Sequence, residues 1–293
     1  MISQGMTLTE LVQAGKFVVT AELSPTKGVD LSRSYKHLDS LKGKVDLINV
    51  TDQQGGVMRV GSLAVSHLLK ERSFEPIFQL TCRDRNRLAL QSDLLSASLL
   101  GIRHILCLTG DHPTRGDHPD AKPVYDLDSV SLLMSATNLQ NGFDLSGKPL
   151  ESKPVFCLGA TAAPGMIPME PQLIKAEAKV RAGAQFFQTQ AVFDMEVFHK
   201  FMERMKKIGV PVLAGVLLLT SARMAHYINK NIAGLIVPDS IVSEMEKSGN
   251  AQQTGIDIAV RIIQEVRGLC QGVHIMTGGR EDLLPAVIEK VKI

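Results

Sequence analysis

The sequence lacks the closely spaced thiols that bind metal clusters. Its four cysteines, Cys82, Cys107, Cys157 and Cys270, lie far apart, and no CxxC pair occurs. Zinc and iron–sulfur sites usually depend on such pairs, so we expect no metal site in this chain. Three of the four lie in apolar, strand-like runs, which favours small buried side chains in a reducing compartment.

Long apolar runs and a strong charge excess are also missing. No apolar run reaches the ~18 residues that a membrane span requires. The first residues, MISQGMTLTE, have neither the basic nor the apolar region of a secretory signal. The net charge of +2 is far below the basic excess typical of nucleic-acid-binding surfaces. We therefore expect a cytoplasmic protein with no membrane span and no nucleic-acid partner.

What the sequence does contain is a series of eight short apolar, β-branched runs, separated mostly by segments of helical period. The helical segments include 86–101 and 170–184, in which apolar residues recur at intervals of three and four. Strands that alternate with helices indicate parallel βαβ units. The strand-like runs cover 17–23, 45–52, 76–82, 104–111, 154–160, 184–190, 211–219 and 273–279.

Eight such units predict an α/β fold, a (β/α)8 TIM barrel, as a single domain over residues 1–293. Longer insertions are expected at about 112–153 and 238–271, where loop residues accumulate or an additional helix is indicated. The rival is an open doubly wound sheet. No GxGxxG follows the first run, and GGVMRVG after the second has the wrong spacing, so the barrel is favoured.

In a TIM barrel the chemistry gathers at the carboxyl ends of the strands. The predicted ends carry separated carboxylates together with amides and hydroxyls, and no metal-ligand cluster. This set suits proton transfer and recognition of a polar heterocycle better than phosphoryl transfer or metal-assisted hydrolysis. Its members are Glu22, Thr51, Asp52, Gln79, Thr81, Asp111, Thr161 and Gln190.

Two of these carboxylates are candidates for catalysis. Glu22 follows FVVTA, and a carboxylic acid among apolar strand neighbours can stay protonated near neutral pH, as a general acid requires. The alternative is an ion pair with a loop lysine such as Lys27. Asp111 follows Gly110, which lets a ligand approach the backbone, and its alternative role is a helix N-cap. Both pairs of interpretations stay open from the residues alone.

Gln190 and Lys179 are candidates for binding. The amide of Gln190 both donates and accepts hydrogen bonds, which matches the edge of a pterin or flavin ring. Lys179 and Arg181 lie late in a helix, where basic residues complement the helix dipole. That interpretation suffices for Arg181, whereas Lys179 can also reach a cofactor phosphate.

Five of these stretches together resemble the methylenetetrahydrofolate reductase family. They are TAE after the first run, NVTD at the second, QLTC at the third, GIRHILCLTGD at the fourth and GAQFFQTQAVFD at the sixth, in order over about 17–238. The resemblance implies a TIM barrel with a flavin, normally FAD. It also implies hydride transfer through flavin N5 between a donor such as NADH and methylenetetrahydrofolate, giving methyltetrahydrofolate for methionine biosynthesis. Donor and folate would use the same flavin face in turn.

The resemblance also assigns roles residue by residue. Glu22 matches the family's general acid, which helps open the imidazolidine ring of the folate. Asp111 matches an aspartate between pterin and flavin, and Gln190 matches a folate-binding glutamine. Gln79 stands where the enteric form has a histidine near the flavin. The other positions that match flavin contacts are Thr51, Leu108, Thr109, Gly110, Tyr125, Ala160 and Lys179.

Departures from the enteric form leave several alternatives open. Gln172, Lys175 and Ala178 replace residues that hold the FAD tail, and the segment after the seventh run lacks a proline and a phenylalanine. FMN in place of FAD, and NADPH or an electron-delivering partner subunit in place of NADH, therefore remain alternatives. We expect a homo-oligomer or a hetero-complex. Other candidates are a pterin-binding methyltransferase that methylates a corrinoid protein, and a flavin subunit active only within an electron-transfer complex.

Overall fold

The computed structural model describes residues 5–291, and eight parallel strands in this range close into a barrel in chain order, with β8 pairing back onto β1. The expected (β/α)8 barrel is confirmed, and the doubly wound alternative is wrong. Residues 1–4 and 292–293 of the expected domain lie outside the described residues. The strands are β1 (Val18–Leu23), β2 (Leu47–Val50), β3 (Pro76–Thr81), β4 (His104–Leu108), β5 (Cys157–Ala162), β6 (Phe186–Ala191), β7 (Val212–Leu217) and β8 (Gly272–Met276).

Helices alternate with the strands and begin and end at residues suited to those positions. Asp128 caps α5 by accepting from the backbone N–H of Val130 and Ser131, and Gly142 ends it in a left-handed conformation. The helices are α1 (Leu8–Gln13), α2 (Ser32–Asp39), α3 (Ser62–Glu71), α4 (Arg87–Leu99), α5 (Ser129–Asn141), α6 (Glu170–Arg181), α7 (Met195–Ile208), α8 (Ala222–Asn231), α9 (Asp239–Glu246), α10 (Ala251–Val266) and α11 (Leu284–Val291).

The two long intervals of the sequence differ in content. Between β4 and β5 lie a short 3-10 turn (Pro113–Arg115), an irregular segment and α5. Between β7 and β8 lie three helices, α8, α9 and α10, and the last of these packs against β7 and α11. None of the helices in the described part of the chain combines the length and apolarity that spanning a bilayer requires.

The amino-terminal end of the barrel is closed by apolar side chains. Leu8 of α1 is fully buried there with Leu47, Leu106 and Phe186. The ring of Phe186 occupies the space beside Gly159 on β5, where a Cβ would lie 2.2 Å from Cζ of the ring. Since the described residues pack this end of the barrel, the carboxyl ends of the strands are the place to look for a ligand site.

All four cysteines are buried and free. Burial raises the pKa of the Cys82 thiol to about 12, and it also raises the pKa of Cys107. These groups therefore stay neutral at physiological pH, as small buried side chains, which confirms the interpretation of the cysteines as core residues.

Candidate active site

A buried polar layer fills the middle of the barrel. Thr20 Oγ1 lies 3.0 Å from His274 Nδ1, and Asn49 Nδ2 lies 3.2 Å from the same nitrogen. Gln188 Nε2 donates to Thr20 Oγ1 at 3.4 Å, although β6 and β1 are not neighbours in the barrel. These side chains therefore point inward, and they lie directly below the carboxyl ends of the strands.

This layer determines which nitrogen of His274 carries the proton. An amide nitrogen only donates, so Asn49 Nδ2 requires Nδ1 to be an acceptor, with the amide orientation assigned from the hydrogen-bond network. With Nδ1 as an acceptor, the ring nitrogen that carries a hydrogen is Nε2. That nitrogen faces Glu22 Oε2 at 3.7 Å, so His274 presents its N–H toward the carboxyl group.

Glu22 lies in β1 with its side chain 7% exposed. Gln54 Nε2 donates to its Oε1 at 3.2 Å, so Glu22 has polar neighbours on both oxygens rather than the apolar enclosure expected from the sequence. Lys27 pairs with Asp117 instead, so the alternative of a Glu22–Lys27 ion pair is wrong. The carboxyl group thus accepts a hydrogen bond from an amide and lies beside an imidazole at the mouth of the barrel.

Two further candidates, Gln79 and Thr51, lie within β3 and directly after β2. Gln79 lies within β3 rather than at its end, and its Nε2 is 3.5 Å from Asn49 Oδ1. Thr51 follows β2 and is buried, and its Oγ1 has no hydrogen-bond partner in the described chain. A buried hydroxyl without a partner is unfavourable unless a ligand or water satisfies it.

A cleft opens at the end of β4. It has a volume of about 540 Å³, and its lining includes Thr109, Gly110, Asp111 and Tyr125. Gly110 has φ +92°, and a Cβ there would lie 3.1 Å from Arg83 Cβ, so a larger residue would strain the loop. The Tyr125 hydroxyl donates to the Gly110 carbonyl at 3.2 Å and ties the far wall of the cleft to the strand end.

Asp111 lies three residues beyond the end of β4 and its side chain is exposed at the mouth. The N-cap alternative is wrong, because His112 caps the following 3-10 turn and Asp128 caps α5. The Asp111 carboxylate is therefore free to contact a ligand over the cleft.

The remaining candidates differ in accessibility. Leu108 is partly buried and packs on the apolar cluster below the site. Gln190, near the end of β6, is exposed after a shift of register between β6 and β7. Ala160 is fully buried in the core between strands and helices, so its methyl group does not face the mouth of the barrel.

Lys179 is a buried cation without a carboxylate partner. Its ammonium group, 5% exposed, donates to the Thr161 carbonyl at 2.6 Å, at the end of β5, and no carboxylate of the described chain lies within 4.0 Å of it. Burial, and secondarily the nearby Lys175, lowers its pKa to about 8. Asp128, which lines the cleft, acts in the opposite direction. Lys179 therefore lies near the cleft with its charge incompletely compensated.

Sequence reasoning missed His274, Thr20, Gln188 and Arg83. The first three are polar residues that lie inside the strand-like runs rather than at their ends, and their polarity within those runs was the available signal. Arg83, 2% exposed, follows β3 in the charged run RDRNR and reaches the backbone of two loops at the mouth. Because arginine is seldom buried, an arginine placed directly after a strand-like run could have been chosen as a candidate from the sequence.

A parallel eight-stranded barrel with carboxyl, amide and imidazole groups at the carboxyl ends of its strands has the layout of a TIM-barrel enzyme. The chain belongs to the methylenetetrahydrofolate reductase family, whose sequence model matches residues 7–292. The resemblance noted from the strand-end motifs is thereby confirmed.

Individual relatives agree with this assignment. The 5,10-methylenetetrahydrofolate reductase of Pectobacterium carotovorum is 27% identical over 285 residues and covers 93% of this chain and 89% of that protein. The corresponding protein of Salmonella typhimurium is 29% identical, with coverage of 93% and 90%. A probable methylenetetrahydrofolate reductase (NADPH) of Caenorhabditis elegans is 24% identical over 78% of this chain, which spans 34% of that protein's length.

Among solved structures, an uncharacterized protein from Clostridium thermocellum that binds two copies of 5-methyl-5,6,7,8-tetrahydrofolic acid has a TM-score of 0.68. It is 14% identical and covers 98% of each chain. At this identity the likeness shows the fold alone.

Proposed function

We propose that this protein is a flavin-dependent reductase that interconverts 5,10-methylenetetrahydrofolate and 5-methyltetrahydrofolate. The observation that carries the proposal is the position of Glu22, held between Gln54 and His274 at the same barrel mouth as Asp111 and the cleft. Family membership supports it, as do the bacterial relatives that bear this enzyme's name. The Clostridium thermocellum protein, which has the same fold, binds 5-methyl-5,6,7,8-tetrahydrofolic acid.

The residues fit a flavin on three independent features. Thr51 offers a buried hydroxyl that has no partner in the described chain, and Gly110 contributes backbone to the wall of the cleft. Lys179 offers a buried ammonium group without a carboxylate, and a phosphate would supply the missing negative charge. We propose FAD as the cofactor, held at Thr51, Gln79, Thr109, Gly110, Tyr125 and Lys179 and through the backbone of Leu108 and Ala160, with FMN as the alternative.

The bound flavin would supply the hydride acceptor and donor. The chain's own task is proton transfer, since opening the imidazolidine ring requires a proton on the departing ring nitrogen. Glu22 is the acid in this proposal. Gln54 donates to one of its oxygens and His274 Nε2 lies 3.7 Å from the other, so the carboxyl group has a defined place at the mouth of the barrel.

Binding of the pterin falls to two other side chains. Asp111 is exposed beside the cleft and can accept hydrogen bonds from the N–H groups of a pterin. Gln190, on β6 two strands along the barrel from β4, can both donate and accept. Together they would orient the folate over the flavin. NADH, NADPH or a partner subunit would reduce the flavin before folate enters.

The first test is the visible spectrum of the protein as purified, followed by anaerobic addition of 5-methyltetrahydrofolate. We expect a flavin band that bleaches as the folate reduces it. A colourless protein that stays unliganded when FAD or FMN is supplied would contradict the proposal and favour the corrinoid-dependent methyltransferase. If reduced artificial dyes reduce the bound flavin but NADH and NADPH do not, the result would instead point to a partner subunit as the electron donor.

The role of Glu22 is tested by Glu22→Gln, which keeps the shape of the side chain and removes the acid. We expect folate turnover to fall by about 10²–10⁴-fold, the usual contribution of general acid catalysis, with flavin content unchanged. Glu203→Gln, on the exposed face of α7, is the matched control. Full folate turnover in Glu22→Gln would show that the acid lies elsewhere.

A further inference from the structure

We propose that Arg83 is a positioning residue that sets the geometry of the flavin cleft and of Asp111. The inference rests on the proposed function, because it assigns to Arg83 a part in holding the flavin and the folate. The relevant observation is that one buried guanidinium group binds the backbone of the loops after β2 and β4, while the backbone of the same residue binds the loop after β4 at a second point.

The guanidinium contacts are specific. Nη1 donates to the Asp111 carbonyl at 3.3 Å, and Nη2 donates to the Gln53 carbonyl at 3.2 Å. Nε and Nη2 also donate to the carboxylate of Asp84, at 2.9 and 2.7 Å. Arg83 thus connects the loop after β4 with the loop after β2, and its charge is balanced by its sequence neighbour.

The rest of the residue secures the other wall of the cleft. The Arg83 carbonyl accepts from the backbone N–H of Val124 at 2.8 Å, directly before Tyr125. Its Cβ fills the space that a side chain at Gly110 would need. Gln53 and Tyr125 both have positive φ, 46° and 41°, a conformation that non-glycine residues adopt only when their surroundings hold them there.

These contacts require the shape of arginine more than its charge. A planar guanidinium donates in several fixed directions, so it can reach Gln53, Asp111 and Asp84 together, whereas a lysine ammonium group is a flexible point charge. Because Asp84 neutralises the group, its main effect on the cleft is geometric. Loss of Arg83 would leave the Asp111 and Gln53 carbonyls without this donor, and the backbone that carries the Asp111 carboxylate would lose one of its anchors.

The test compares Arg83→Met and Arg83→Lys with Arg103→Met. Arg103 donates to the Gly5 carbonyl next to α1, which closes the opposite end of the barrel, so it matches Arg83 as an arginine that binds backbone. We would measure flavin release from the purified holoprotein on dilution, the melting temperature, and kcat and KM for the folate half-reaction.

We expect Arg83→Met to weaken flavin binding at least tenfold, corresponding to 1.4 kcal/mol, and to lower kcat for folate more than it raises KM. The flavin affinity of Arg83→Lys should lie between those of Arg83→Met and the wild-type protein. Arg103→Met should leave the dissociation constant of the flavin unchanged. If Arg83→Met does not fold, Arg83→Lys carries the same comparison.

Wild-type flavin affinity in both Arg83 variants would overturn the inference. So would equal losses of flavin in the Arg83 and Arg103 variants that follow their melting temperatures, because that result indicates stability alone. Failure of the wild-type protein to bind any flavin would overturn the proposed function instead, so the two failures are distinguishable.

Discussion

Replacement of Gly110 by alanine tests whether the end of β4 is built around the absence of a side chain. Gly110 has φ +92°, and a Cβ there would lie 3.1 Å from Arg83 Cβ and 3.2 Å from Thr81 Cβ. Gly147, in the loop after α5, also has positive φ, +80°, but a Cβ there would meet nothing within 4 Å. Gly147→Ala is therefore a matched control that carries the backbone strain without the steric conflict.

The two variants should differ in their free energy of unfolding by the cost of the steric conflict at Gly110. Backbone strain at positive φ costs about 1–3 kcal/mol in either variant. Contacts with two β-carbons that cannot rotate away add about 1–3 kcal/mol at Gly110 alone, as in overpacked cores. At about 2 °C per kcal/mol for a chain of this length, we expect Gly110→Ala to melt several degrees below Gly147→Ala.

The assay is thermal unfolding of both variants with and without added flavin. Because Gly110 lines the cleft, flavin should raise the melting temperature of Gly147→Ala as it does that of wild type, and should stabilise Gly110→Ala less. Equal melting temperatures in the two variants, or an undiminished response of Gly110→Ala to flavin, would refute the close packing of Arg83 and Thr81 against the strand end.

Three further predictions concern buried polar groups. Burial lowers the pKa of Lys179 to about 8, so Lys179→Met should stabilise the flavin-free protein by up to about 3 kcal/mol below pH 8, and this gain should vanish by pH 10.5. The same substitution should weaken flavin binding; urea unfolding measures the stability and flavin titration measures the affinity. His104 accepts from the Leu8 N–H, and burial lowers its pKa below the usual 6.5 despite the neighbouring Glu75. The melting temperature of the wild-type protein should therefore fall as the pH drops below 6.5, and that of His104→Gln should fall less. Identical pH profiles of the two proteins would exclude this histidine as the cause. Thr20→Val should cost about 1–2 kcal/mol and slow the folate half-reaction, because Gln188 and His274 lose their shared partner, with flavin reduction by the donor as the unaffected control reaction.

The barrel and its mouth were predictable because their signals are local in sequence. Each apolar run predicts a buried strand at that place in the chain. Glu22, Asp111 and Gln190 lie at or near the ends of the strands that these runs form. The parallel order of the strands then follows from the alternation with helices. The position of the candidate acid and of the cleft therefore came from the pattern together with the family resemblance.

The partners of these residues were not predictable in the same way. Thr20 and His274 are far apart in sequence and meet only because β8 pairs with β1, and Gln188 reaches Thr20 across the barrel. Glu22 was expected among apolar neighbours, yet closure of the barrel surrounds it with an amide and an imidazole. The same limit applies to Arg83, which donates to the backbone carbonyls of Gln53 and Asp111. Because every residue type has a backbone carbonyl, the sequence gives no sign of these contacts.

The packing of Phe186 beside Gly159 bears on how this lineage can diversify. A side chain at position 159 has no room while a phenylalanine ring stands at position 186, and a smaller residue at 186 would leave a void beside glycine. Neither position can change first without loss of stability, so homologous sequences should show paired exchanges at 159 and 186. Such a correlated pair would be a marker of ancestry for subfamilies of this barrel, independent of any residue that touches substrate.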